Sequence, residues 1–360
     1  MTLGIIGGGQ LGMMLSEAAM AMGYEVVALD PNPLASVKHV KAKLIEASFD
    51  DIEAIKTLYN LADVICYEFE NIDLAVLNTI KDKLPQGMKA LDISRDRIKE
   101  KAFAQSLNIP TPKTLVIKTQ SDLKDAFFPS ILKTTRFGYD GKGQFHLNMA
   151  EDVQRVTITQ PMILEEKITF DQEVSVILTR DCFGNIAYYP LIKNTHQNGI
   201  LSTSLAWWDA PNELREQGYE YGKKIIEDLD YIGTLAIEFF VVNNTLIFNE
   251  MAPRPHNSGH FSIEGTTISQ FENMVLALTQ KPVITPKITK PSMMVNQLGQ
   301  DTFVLEEKEG IEIYYHDYYK NSQTLNRKIG HVTLLGHDIE RLRSYANKLK
   351  GEENADETLY

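Results

Sequence analysis

Two glutamates near the middle of the chain carry the most specific chemical signal. The stretch TLAIEFFVVNNTLIFNEMAPRPHNSGH holds Glu238 and Glu250 inside two apolar, strand-like runs that flank Asn243-Asn244. The pattern predicts a β-hairpin. A two-residue loop would pair Val242 with Thr245 and turn the two acids to opposite faces. A three-residue loop, 243–245, would pair Val242 with Leu246 and set Glu238 directly across from Glu250. A carboxylate within LAIEFF needs a partner or a metal. Two of them side by side repel unless hard cations such as Mg²⁺ sit between them and bound phosphates. The competing reading is an edge hairpin with both acids in solvent. The continuation PRPHNSGH weighs against it, because Arg254, His256, Asn257, Ser258 and His260 are too polar for core and too concentrated for filler.

A second signal is ILKTTRFGYDGKGQ, which ends an apolar strand at Lys133 and follows it with Gly138, Gly141 and Gly143 around Lys142. Glycines leave backbone N–H groups free to wrap a polyphosphate, and the lysines add charge. It is not a Walker loop, since G-x-x-x-x-G-K-[ST] is absent. Arg97 precedes it, and the acid-rich strand MILEEKITFDQEVSVI, with Glu165, Glu166 and Glu173, follows. That strand fits an adenine–ribose slot, or a solvated face. A third signal is GIIGGGQLG at the start, where Gly7, Gly9 and Gly12 fit G-x-G-x-x-G and Asp30 stands eighteen residues further on. That spacing suits a dinucleotide-binding unit, although a glycine loop at a helix N-terminus suits any phosphate-bearing ligand.

These groups need a scaffold, and 360 residues allow two or three packed units. Apolar runs at 3–6, 25–29, 63–67 and about 88–91 alternate with helical patterns at 10–22, 50–60 and 73–83, which predicts βαβ units and a mostly parallel sheet. At SRDRIKEKAFAQSLN the pattern becomes a helix with Ser94 as N-cap. From 113 to about 290, closely spaced strands (114–117, 130–134, 162–166, 173–179, 186–192, 235–250) predict antiparallel α+β structure, with helices at about 212–229 and 267–279. The strap TQKPVITPKITKP leads to a last unit with strands GIEIYYH and KIGHVTLLG and a helix at 337–349. The fold class is thus α/β and α+β. A net charge of −12, from 36 Lys and Arg against 48 Asp and Glu, argues against nucleic acid or an anionic membrane as partner. The two cysteines, Cys66 and Cys182, form no C-x-x-C pair, and no apolar run approaches a membrane span, so a reducing, cytoplasmic setting is expected.

In this order, an Arg-bearing helix, strand lysine, Gly-rich loop, EEK linker and paired-Glu hairpin resemble the ATP-grasp enzymes. The segments GGGQLG, YEFENI, GYDGKGQ, EVSVI, HQNGI, APRPHNSGH and RKIGH narrow the resemblance to the N5-carboxyaminoimidazole ribonucleotide synthetases and run from Gly7 to His331. The resemblance implies an ATP-grasp fold with a Rossmann-like pre-ATP-grasp domain at 1–96. An ATP-grasp domain would follow at 97–290, with a lid subdomain about 113–167, and a small C-terminal domain at 291–360. It implies ATP- and bicarbonate-dependent carboxylation of 5-aminoimidazole ribonucleotide through carboxyphosphate, with Mg²⁺, in a homodimer. Arg97 and Lys133 would contact ATP phosphates beneath a lid of Gly138, Tyr139, Asp140, Gly141, Lys142, Gly143 and Gln144. Glu165, Glu166, Lys167 and Ile168 would hold adenine, Glu173 the ribose, with His196 and Asn249 beside the nucleotide. Glu238 and Glu250 would ligate Mg²⁺. Arg254 would hold bicarbonate, with Tyr139, Asp140 and His256 completing the catalytic set. Gln10, Leu11, Glu68, Asn71, Asn257, Ser258, Lys320 and Arg327 would bind the ribonucleotide, the last two at its 5′-phosphate.

Three positions depart from the family pattern. Phe137 replaces the first lid glycine, Tyr319 stands where Tyr-Gly-Lys is usual, and Ala252 replaces an asparagine common after the second glutamate in other ATP-grasp enzymes. Two other readings compete: a formate-using glycinamide ribonucleotide transformylase, and a nicotinamide oxidoreductase resting on the first glycine loop and Asp30. The latter gives no reason for a second phosphate loop or a paired-Glu hairpin.

Overall fold

A computed structural model describes residues 1–136, 143–320 and 324–351. The first unit alternates β1 (Thr2–Ile6), α1 (Gln10–Ala21), β2 (Glu25–Asp30), β3 (Lys43–Glu46), α2 (Ile52–Leu61), β4 (Val64–Tyr67) and α3 (Leu74–Asn78). Its strands form a parallel sheet in the order β3-β2-β1-β4, as the βαβ alternation predicts. Two apolar layers cover it, one built on Ile55, Leu58 and Leu77, the other on Met13, Leu15 and Ala19 of α1.

Residues 88–91, expected as a strand, instead form the N-cap and first turn of α4 (Lys89–Ser94). Met88, Ala90 and Leu91 form a short apolar run that suits either element, and only Ala90 and Leu91 are buried. The next helix, α5 (Arg97–Ser106), is capped by Asp96 rather than Ser94; the Asp96 carboxylate accepts the Ile98 and Lys99 N–H groups.

A small antiparallel sheet, β5-β8-β6-β7, comprises β5 (Thr114–Ile117), β6 (Ser130–Thr134), β7 (Gln144–Leu147) and β8 (Met162–Glu166). The large sheet begins with β9 (Gln172–Arg180), β10 (Ile186–Tyr188), β11 (Leu191–Gln197) and β12 (Ile200–Trp207), so the single strand expected at 186–192 is two. After α6 (Asn212–Asp228) come β13 (Gly233–Val242) and β14 (Thr245–Ala252), then α7 (Ser262–Gly265) and α8 (Gln270–Leu278). The last elements are β15 (Ser292–Leu298), β16 (Glu312–Asp317), β17 (Lys328–Leu335) and α9 (Ile339–Lys350).

The sheet order β14-β13-β9-β11-β12-β15-β17-β16 carries the last three strands onto the central sheet through β12 and β15. The C-terminal elements therefore share one continuous hydrogen-bonded surface with the hairpin. Phe271, Met274 and Val275 of α8 pack against α1 and close the core between the central sheet and the first unit. Among the described residues no helix is long and apolar enough to cross a membrane.

Candidate active site

The hairpin turns at Asn243 and Asn244, both with positive φ (48° and 59°), and pairs Val242 with Thr245. This is the two-residue loop, which in a regular ladder would separate the two acids. They nonetheless face each other, because the register shifts between Glu238 and Phe239: Phe239 pairs with Phe248, and Glu238 with Glu250. Asn249 is the extra residue of a β-bulge. The three-residue loop is thus corrected, and the expected pairing of acids arises by a different device.

Arg97, the first residue of α5, donates from Nη1 to Glu250 Oε2 at 3.2 Å. Burial opposes ionisation of Glu250, but the charges of Arg97, Lys133 and Lys101 prevail and hold it below the usual carboxylate range. Glu238 goes the other way. Burial and the neighbouring Glu250 charge push it up to about 7. The Glu238 side chain is 14% exposed and that of Glu250 43%. Beside them His196 Nδ1 bonds Glu173 Oε2 at 2.5 Å. Burial pulls this imidazole down, and the Glu173 bond and the Glu238 charge more than restore it, leaving it above its ordinary value. The Ser258 N–H donates to His256 Nδ1, which places the proton on Nε2, 3.7 Å from Glu238. Burial and the charge of Arg254 keep His256 neutral, so this is a dipolar approach rather than an ion pair.

Behind the carboxylates lies a buried cationic cluster. Lys133 Nζ donates to Glu165 Oε2 at 2.7 Å, and Lys101 Nζ lies 3.9 Å from Glu165 Oε1. Burial resists charge on Glu165, yet Lys101 and Lys133 overcome it and lower its proton affinity. Glu100 accepts the Met251 N–H at 2.7 Å, and burial pushes this carboxyl up to about 8. Sequence reasoning missed Glu100 and Lys101. Their signal was helical period: Arg97, Glu100, Lys101 and Ala104 share one face of α5.

The opposite wall of the cleft, about 290 Å³ in volume, includes Glu70 and Asn71 from the first unit. Arg254 Nη2 reaches Glu70 Oε1 at 2.8 Å. Glu68 is buried with neither carboxylate oxygen hydrogen-bonded, and desolvation raises it to about 8 despite the charge of Arg254. A smaller pocket of about 120 Å³ brings Gly9, Asp30 and Ser36 together with Lys320 and Arg327. Asp30 accepts the Gly8 and Asn32 N–H groups at 2.7 and 2.8 Å, so its carboxylate caps the glycine loop. Gly12 is obligatory there, since a Cβ would lie 2.0 Å from the Gly7 carbonyl oxygen. Gln10 and Leu11 open α1 behind that loop.

Known proteins resemble this chain over nearly all of its length. Family models match a ribonucleotide synthetase preATP-grasp domain at residues 1–92, an ATP-grasp domain at 102–271 and a phosphoribosylaminoimidazole carboxylase C-terminal domain at 292–345. The N5-carboxyaminoimidazole ribonucleotide synthase of Staphylococcus aureus is 39% identical over 355 residues, covering 94% of each chain. The chain belongs to the N5-carboxyaminoimidazole ribonucleotide synthetase family. An ADP complex of another synthetase superposes with a TM-score of 0.91 at 36% identity, covering 98% of both chains. The Staphylococcus aureus synthetase with ADP gives 0.89 at 34% identity, covering 98% of this chain and 97% of that one.

The remaining synthetase-type positions are distributed as follows. Gly138, Tyr139, Asp140, Gly141 and Lys142 lie outside the described residues. Gly143 has φ +71° and sits against Thr134, and Gln144 pairs with Lys133. The N–H groups of Glu166 and Lys167 go to the Lys113 and Pro129 carbonyls, next to a partly exposed Ile168. Asn257 exchanges side-chain hydrogen bonds with Asn296, and Ser258 is fully buried against His256.

Proposed function

We infer that this chain is an ATP-dependent carbon–nitrogen ligase that carboxylates 5-aminoimidazole ribonucleotide with bicarbonate, releasing ADP and phosphate in purine biosynthesis. The observation that carries the reading is the paired Glu238 and Glu250, held by Arg97 in a cleft whose far wall comes from the first unit.

Two carboxylates suit Mg²⁺, which binds through one or two of them plus substrate phosphates; among the described residues no larger acid or histidine cage forms. Burial first and the charge of Glu250 second raise the proton affinity of Glu238, and a dication between the two acids would relieve the repulsion. Glu238 and Glu250 would hold the ion, which supplies charge neutralisation at the transferring phosphoryl group. Arg97 and Lys133 are assigned to the ATP phosphates and Glu173 with His196 to the nucleoside. A bicarbonate oxygen attacks the γ-phosphorus, the bond to ADP breaks, and carboxyphosphate forms; the protein's part is alignment and charge stabilisation. Arg254, with its planar fork, is assigned to bicarbonate and carboxyphosphate. The exocyclic amine of the ribonucleotide then attacks the carboxyl carbon, phosphate leaves, and the amine gives up a proton. Lys320 and Arg327 are assigned to the 5′-phosphate. A lid of residues 138–144 would exclude water from an intermediate that hydrolyses readily. We assign a homodimer on the resemblance and a cytoplasmic setting on the cysteine usage, with domain boundaries near 96 and 290.

ADP release measured with each co-substrate omitted in turn tests the reading. Release should require both bicarbonate and the ribonucleotide, whereas formate replacing bicarbonate with glycinamide ribonucleotide as acceptor would redirect it to the transformylase.

A further inference from the structure

Strand β14 lies at the end of the large sheet, so its outward-facing backbone groups need partners from elsewhere. The outward N–H groups are those of Leu246, Phe248 and Met251, bonded to Gln217, the Pro110 carbonyl and Glu100. The spacing of two and then three residues is the bulge at Asn249 seen from the edge. Both backbone groups flanking Glu250 are taken by consecutive residues of α5: Lys101 Nζ donates to the Asn249 carbonyl, and the Met251 N–H donates to Glu100 Oε1. Glu100 and Lys101 are each only 2% exposed. Burying a carboxyl and an ammonium costs several kcal/mol unless their polar atoms are paired, and at 2% exposure neither belongs to a solvated helix face. Lys101 also sits beside Glu165, whose other oxygen holds Lys133.

We propose that Glu100 and Lys101 are positioning residues that pin the Asn249 bulge and thereby set Glu250 beside Glu238. In a regular two-residue hairpin the same strands would turn the two carboxylates to opposite faces, so the pair exists only while the bulge is held. Through Glu165, Lys101 ties the same hairpin to the phosphate-facing lysine. The proposal rests on reading Glu238 and Glu250 as metal ligands.

The test titrates Mn²⁺ into the ADP-bound enzyme and follows free ion by its electron paramagnetic resonance signal. It uses Glu100→Leu, Lys101→Met, the conservative Glu100→Gln and Lys101→Arg, and Glu250→Gln. Removing an outer-shell partner weakens metal binding on the order of 10–100-fold, so Glu100→Leu and Lys101→Met should do so, with ribonucleotide affinity within about twofold of wild type. Glu100→Gln keeps an acceptor and Lys101→Arg a donor, and both should recover most of the loss. Unchanged Mn²⁺ affinity in the Leu and Met variants, or equal loss of Mn²⁺ and ribonucleotide affinity, overturns the proposal. Should those two variants fail to fold, amide hydrogen exchange in the milder Glu100→Ala decides: acceleration confined to residues 249–251 supports the proposal, and a uniform change or none at these residues overturns it. Normal Mn²⁺ binding by Glu250→Gln would instead remove the metal reading itself.

Discussion

Arg97 donates to the outer oxygen of Glu250 at 3.2 Å and so holds ionised the carboxylate that stands opposite Glu238. One acid of the pair is stabilised as an anion while the other is raised to about 7. Glu250→Gln keeps an acceptor for Arg97 but removes the negative charge. Turnover should fall by at least about a hundredfold, the scale seen when one preorganised electrostatic group is lost, while thermal unfolding stays close to wild type. Steady-state ADP release checks it, and near-normal turnover would remove Glu250 from the metal site.

Lys320 gives a pH signature. Burial and the nearby Arg327 charge pull its ammonium down to about 8, with Asp30 opposing. It is therefore charged below that pH and neutral above it. A charge-assisted hydrogen bond is worth about 1.5–3 kcal/mol, so the KM for the ribonucleotide should rise by about tenfold or more as pH climbs through about 8. The unliganded fold responds oppositely: the unfolded chain binds more protons between about 8 and the ordinary lysine range, so stability rises with pH there. Lys320→Ala should raise KM at neutral pH and flatten both profiles.

Tyr319 adopts a left-handed backbone conformation, with φ +51°. Its ring stacks on His39 at 4.0 Å between centroids and 6° between planes. Left-handed backbone costs about 1–2 kcal/mol for a residue with a Cβ, and an aromatic pair returns about 0.5–1.5 kcal/mol. Tyr319→Gly should therefore change stability little, as the two effects offset. Tyr319→Ala keeps the backbone strain, loses the stack, and should lower stability by about 0.5–1.5 kcal/mol in thermal unfolding.

Much of the architecture was legible because its elements carry clean periods. The parallel sheet follows from short apolar runs between helical patterns, and α6, α8 and α9 from their apolar stripes. Residues 88–91 were misread because a four-residue apolar run has no period long enough to separate strand from helix. The hairpin shows a deeper limit. Asn243-Asn244 signalled the turn, but the shift that pairs Glu238 with Glu250 depends on contacts from α5, more than 140 residues away, and no local pattern encodes it. The same distance hid Glu100 and Lys101, which look like an ordinary solvated charge pair until β14 packs over them. Asp30 was legible as the acid of a dinucleotide fingerprint, and only its two N–H partners show that it caps the glycine turn.

The most direct measurement follows oxygen. With ¹⁸O-labelled bicarbonate, ATP and 5-aminoimidazole ribonucleotide, the phosphate released should carry one bicarbonate-derived oxygen per turnover, read by mass spectrometry. Phosphate bearing oxygen only from water, or label transfer that ignores the ribonucleotide, would contradict a carboxylating ligase.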